Sequence, residues 1–244
     1  MVTASRKFVC VRLKSFEDFD ESELLLSIFK SRNGRLENTV FTVLDSQGDE
    51  KLIRSGRSPK WISSDAKGFA SVLDELASEH IKAPKGKAKE RTLPLIKDLR
   101  LAMNVAACDS RPLVVLVGKN EKETKRMEGL LAPLAWSDEL VGQFRWVSLS
   151  STETLATHEG MPVETGLHVV QPDEFGVTCE VLAKAKAGAK SKALREALTE
   201  GLEAFEAPRF RRRGQHVREG ERKGYSWEHA TGHSERVPFT GKKD

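Results

Sequence analysis

A buried apolar strand that runs straight into an amphipathic helix is a favoured place for chemistry. The first helical turn holds backbone N–H groups without partners in their own helix, and its positive dipole end can sharpen a thiol. The stretch "RPLVVLVGKNEKETKRMEGLLAPLAW", which begins at Arg111, has this form, and the residues at its junction are Gly118, Lys119, Asn120 and Glu121. None of them carries sulfur. Asn120 with Glu123 three residues on has the pattern of a capping box, and the carboxylates of Glu121 and Glu123 suit the positive end of the dipole. The spacing therefore predicts a site given over to stabilising the helix.

The other residues that could react are scattered. Cys10, Cys108 and Cys179 are the only cysteines, and no two of them have C-x-x-C spacing, so neither a disulfide framework nor a dithiol is expected. Cys10 falls in an apolar strand pattern and reads as a small buried hydrophobe. Cys108 precedes Asp109, whose charge opposes a thiolate, and Cys179 opens a strand with nothing basic beside it. His229 and His233 are four apart, with His216 as a third nitrogen, but a glycine in "HATGH" makes a poor helix and no acidic or thiol ligand is suitably spaced. His158 and His168 read as structural or surface residues. With no phosphate loop, dinucleotide loop or spaced Ser-His-Asp set, neither a metal nor a cofactor is expected.

Charge points to one appendage. The formal net charge is +4, yet residues 208–244 hold ten Lys and Arg against five Asp and Glu, which leaves the remainder of the chain at about −1. This tail is poor in aliphatic residues and has no helical or strand period, so it is expected to be disordered. Arg209, Arg211, Arg212 and Arg213 could meet phosphates, and Tyr225 and Trp227 could stack on bases. Acidic residues interrupt that pattern, so nucleic-acid binding by the tail stands behind a solvated or protein-docking arm.

The elements that must position these residues form two groups. Residues 8–13, "FVCVRL", are a continuous apolar run that suits a strand covered on both faces. A helix is expected after Asp20 and Glu23, with Leu24, Leu25, Ile28 and Phe29 on one face. Residues 40–44 and 51–55 read as a hairpin turning at Ser46, Gln47 and Gly48. Asp65 can cap a helix that buries Phe69, Val72, Leu73 and Leu76. Residues 81–94 then break the period with Pro, Gly and Lys, as a solvated linker does.

Beyond the linker, Leu95, Leu99, Ala102 and Ala106 make a helix face and "PLVVLVG" a buried strand. Met127, Leu130, Leu131 and Leu134 line the next helix, with Pro133 inside it. "FRWVSLS" is a strand, "STETLATHEG" a short helix, and "GLHVVQPDEFG" with "CEVLAKA" a second hairpin. Leu194, Ala197, Leu198, Leu202 and Phe205 close the group with an amphipathic helix. Both groups end in strand, helix, hairpin and helix, which suggests a duplicated fold.

Residues 95–207 resemble the thioredoxin fold in this order of helix, strand, Pro-bearing helix, strand, helix, antiparallel hairpin and helix. Residues 1–80 resemble only its back half, from the central parallel strand onward. The resemblance implies an α/β chain of two three-layer thioredoxin-like units, each a mixed sheet with an antiparallel hairpin, the first incomplete and the second followed by the basic tail. Thioredoxin-like oxidoreductases carry two cysteines where this chain has Lys119 to Glu123. They also place a cis-proline before the first hairpin strand, where this chain has Thr165 and Gly166, with Pro162 nearby.

These departures predict a redox-inactive protein-binding or scaffolding module. The fold offers a groove bounded by Asn120, Glu121, Thr165 and Gly166 in which an extended peptide could lie. A thiol-disulfide oxidoreductase, or a fragment of one with its redox cysteines encoded upstream of Met1, is the alternative. A nucleic-acid-binding arm is the third expectation. No apolar run is long enough for a membrane span and no signal-peptide core opens the chain, so the expected place is the cytoplasm, or an exported compartment if the frame starts further upstream. The open sheet edge of the first unit would permit a homodimer.

Overall fold

A computed structural model describes residues 2–13, 15, 18–31, 34, 36–37, 39–80, 91–152, 155–207 and 212–225. The chain divides into two compact units, Met1–Ala88 and Lys89–Ser226.

In the first unit the described helices are α1 (Val2–Ser5), α2 (Phe19–Ile28) and α3 (Ala66–His80). Asp18, rather than the expected Asp20, caps α2 by accepting from the Glu21 N–H at 3.2 Å. Asp65 caps α3 as expected, accepting from the Gly68 N–H at 2.8 Å. The face of α3 that buries Phe69, Leu73 and Leu76 packs with Ala4 and Val43, and Phe41 meets the Phe69 ring edge-on at 5.4 Å. The expected hairpin is reduced to two antiparallel bridges, Phe41 with Gly56 and Leu44 with Lys51. Its turn is held by Asp45, whose carboxylate accepts from Asp49 and Glu50 N–H groups and is kept below the usual carboxylate range by those bonds.

The strand expected at 8–13 does not form. Val9 and Val11 are 91% and 72% exposed, and Cys10, expected to be buried, is exposed with its thiol directed at the Ser5 carbonyl. An apolar run becomes a strand only where a neighbouring edge takes up its backbone groups, and none of the described residues of this unit supplies one.

The second unit is an α/β fold on a five-stranded mixed sheet. Its strands are β1 (Leu95–Ile96), β2 (Leu113–Val117), β3 (Arg145–Leu149), β4 (Gly166–Pro172) and β5 (Cys179–Lys186), in the spatial order β1-β3-β2-β4-β5. β1, β3 and β2 are parallel; β4 runs antiparallel to β2 and pairs antiparallel with β5. The helices are α4 (Leu99–Asp109), α5 (Glu121–Ala135), α6 (Ser191–Ala204) and α7 (Arg213–Arg222).

β2 is central, and all five of its residues are fully buried. Val114 and Leu116 face a core made with Met127 and Leu131 of α5 and Leu194 and Leu198 of α6. Leu113, Val115 and Val117 face Leu99, Ala102, Met103 and Ala106 of α4 on the other side. The continuous apolar run "PLVVLV" thus has a helical layer over each face, as such a run requires. Leu95 falls in the short edge strand β1 rather than on the helix, which starts only after Asp98 accepts from the Leu101 N–H at 2.8 Å. Asp109, with only 6% of its side chain exposed, anchors the far end of α4 to β3 through Arg145 at 2.6 Å. Among the described residues, no helix is long and apolar enough to cross a membrane.

The tail departs from its expected disorder over α7, which folds against the β4–β5 turn. Phe175, only 4% exposed, stacks on His216 at 4.6 Å, meets Tyr225 at 5.4 Å and lies under the Lys223 ammonium at 4.7 Å. Composition conceals this helix because one aromatic ring on the body, rather than an apolar stripe on the helix, supplies its anchor. Truncating that ring in Phe175→Ala is expected to cost about 3 kcal/mol of stability. Hydrogen exchange should then speed up in Arg213–Arg222 while α6 keeps its protection.

Candidate functional site

β2 delivers the chain to Gly118, and the residues after it tie up the tip of α5. Asn120 accepts from the Glu123 N–H at 3.0 Å, and the Glu123 carboxylate reaches back to the Lys119 N–H at 2.9 Å. The reciprocal bonding follows the capping-box logic, displaced by one residue on the return side; a cap of this kind is worth about 1 kcal/mol. Thr124, only 6% exposed, adds a bond that the spacing did not reveal. Its hydroxyl accepts from the Gly118 N–H at 3.0 Å and donates to the Asn120 carbonyl at 3.2 Å. A side chain at Gly118 would stand within 3 Å of the Thr124 backbone nitrogen, so the closeness of this turn requires glycine. Glu121 points outward to Lys125 at 2.6 Å, and that bond lowers its carboxyl below the usual range.

Thr165 and Gly166 lie at the same end of the sheet, because Gly166 pairs with Val117 across β2 and β4 and with Lys186 across β4 and β5. Gly166 has φ +147°, and a Cβ there would strike the Ala185 carbonyl. The peptide bonds here are trans, including the one before Pro162. Beside this end opens a groove of about 810 Å³ whose lining includes Lys119, Thr165, Lys186, Ala189, Ala193 and Glu200. Arg126 of α5 fixes one side by donating to the Ala187 carbonyl at 2.7 Å. Of the four residues expected to bound a groove, Thr165 lines it. Asn120 caps α5, Glu121 pairs with Lys125, and Gly166 lies in the ladder. The groove extends along α6 and β5, a direction for which the sequence carried one signal, the run of alanines from 183 to 197.

The thiols of this unit are at the opposite end. Cys179 pairs with Pro172, six residues along β4 from Gly166 and so about 20 Å away at about 3.3 Å per residue. Cys108 is in the last turn of α4, before β2 begins. Burial and the nearby Asp173 carboxylate push the Cys179 thiol up to about 11, the reverse of activation.

His168, 1% exposed, is placed on β4 with its Nε2 2.9 Å from the Glu164 carbonyl. A carbonyl can only accept, so Nε2 carries the proton and Nδ1 is left as a buried acceptor without a protein partner. Burial lowers the imidazole below its ordinary value, so it stays neutral at pH 7. Nearby, Lys184 bonds Glu164 at 2.9 Å and holds that carboxyl low.

In the tail, Tyr225 and His216 both pack on the Phe175 ring. Arg212 is exposed and Arg213 begins α7. Arg209, Arg211, Trp227, His229 and His233 lie outside the described residues. Comparison with protein-family models, with curated proteins and with solved structures gave no match.

The Cys179 environment sets a measurable pH dependence. Below its raised value the thiol is protonated and unreactive, so its alkylation by iodoacetamide should be slow at pH 8 and keep rising to about pH 11. Mass spectrometry of the labelled peptide checks this; a rate that levels off below pH 9 would contradict the geometry.

Proposed function

We propose that the second unit is a redox-inactive thioredoxin-like domain that binds a protein partner through an extended segment, and that the chain acts as a binding or scaffolding module. The observation that carries this reading is the α5 tip. The place where a thioredoxin-like oxidoreductase needs a thiolate is filled by a closed set of hydrogen bonds among Gly118, Lys119, Asn120, Glu123 and Thr124. The mixed sheet, the antiparallel β4–β5 hairpin and the helix bearing Pro133 directly after the central strand support the thioredoxin-like part of the reading.

Binding follows from what remains open. A groove stands beside the capped tip, floored by small residues that let a backbone approach closely and bordered by charges that can fix its register. Residues 1–80 enter this reading as an incomplete unit of the same kind, for which the bridged turn at residues 41–56 followed by α3 is the support.

Reduction of insulin disulfides by dithiothreitol, followed by turbidity, tests the redox half. The full chain should leave the rate at that of the uncatalysed reaction. Catalysis that survives repurification and disappears on alkylation of the three cysteines would overturn it.

A further inference from the structure

Resting on that reading, we infer that the β5–α6 seam takes an extended peptide of about six residues with an acidic residue at one end and a basic residue at the other. Among the described residues β5 pairs with β4 alone, so its outer edge presents backbone N–H and C=O groups to a newcomer. α6 starts just beyond the end of β5 and runs back along it. Gly201 lies against Val169, and the Glu206 N–H reaches Gln171 at 2.9 Å, near the beginning of β5.

Two cavities open on this one seam. The larger, about 810 Å³, has Lys119 and Lys186 at the capped tip, Ala185, Ala189 and Ala193 along it, and Glu196 and Glu200 further down α6. The smaller, about 360 Å³, is at the other end and is lined by Glu180 and Glu206 with Leu182 and Ala204. Charge along the seam therefore passes from basic at the sheet tip to acidic at the start of β5. From Lys186 to Glu180 is six steps of about 3.3 Å, about 20 Å in all, the length of a six-residue strand.

Lys184 contributes little to the basic end, since Glu164 neutralises it. The alanine floor admits small side chains in the middle of the peptide, and the two ends choose its direction by charge. A second copy of this chain fits the edge less well. β5 carries an irregularity where Val169 faces Ala183 and Val170 faces Val181, which leaves Leu182 as an extra residue at the middle of any two-fold strand pairing.

Selection of phage-displayed random dodecamers on the full chain tests this, with the groove-filling variant Ala193→Trp as counter-target. Ala193 is exposed on α6, so the variant should fold, and thermal melting by circular dichroism confirms it. The expected outcome is a set of peptides that bind the wild type and not Ala193→Trp, with Asp or Glu at one end and Lys or Arg four to six positions away. In fluorescence anisotropy the double reversal Lys119→Glu/Lys186→Glu should weaken such a peptide about tenfold, the scale of two exposed ion pairs. A peptide with its charges exchanged end for end should bind about tenfold less tightly to the wild type. Peptides that need the groove but show no such spacing, or that ignore the reversal, would overturn the inference and leave the binding function standing. No groove-dependent peptide, or a dimer by sedimentation that Ala193→Trp dissociates, would overturn both.

Discussion

The first turn of α5 holds backbone N–H groups that its own helix cannot satisfy, and what satisfies them decides what the second unit can do. In this chain Asn120 takes the Glu123 N–H, the Glu123 carboxylate takes the Lys119 N–H just before the helix, and Thr124 ties the turn back to Gly118. The same donors cannot also stabilise a thiolate. Everything around the tip is consistent with that choice. The fully buried β2 fixes where the turn starts, Gly118 lets it close, and the Cys179 thiol sits where burial and the Asp173 carboxylate disfavour ionisation.

Fixing the tip moves the open surface sideways. With Arg126 bound to the Ala187 carbonyl, the β5–α6 turn is held against α5, and the remaining gap lies along the edge of β5. That edge is guarded against indiscriminate pairing by its irregularity at Leu182 and by its lysines, as open edges of sheets commonly are. On the proposed reading, such an edge would turn away most strands while admitting one with matched charges.

Much of this was legible in the sequence, and the failures have physical causes. The run Leu113–Val117 could only be a strand with both faces covered, and the spacing of Asn120 and Glu123 announced the cap. Thr124 was missed because its bond to Gly118 depends on the tightness of the turn, which no spacing rule encodes. β1 was missed because two residues carry no period. Residues 8–13 have the composition of a strand but find no neighbouring edge among the described residues of their unit, and strand formation is a property of pairs. α7 was missed because its order comes from Phe175, some forty residues earlier in the chain. The groove was expected at the tip; the cavity found beside it includes Thr165 in its lining, while Asn120 is engaged in the cap and Glu121 with Lys125.

The most direct test separates the tip from the seam residue by residue. Amide spectra of the 15N-labelled chain, titrated with a degenerate hexapeptide pool rich in Asp at one end and Lys at the other, should shift for residues 183–189 and 193–200. The Glu123 and Thr124 amides, held inside the cap, should stay in place. Shifts centred on residues 118–124, with β5 and α6 silent, would contradict a capped tip beside an open seam.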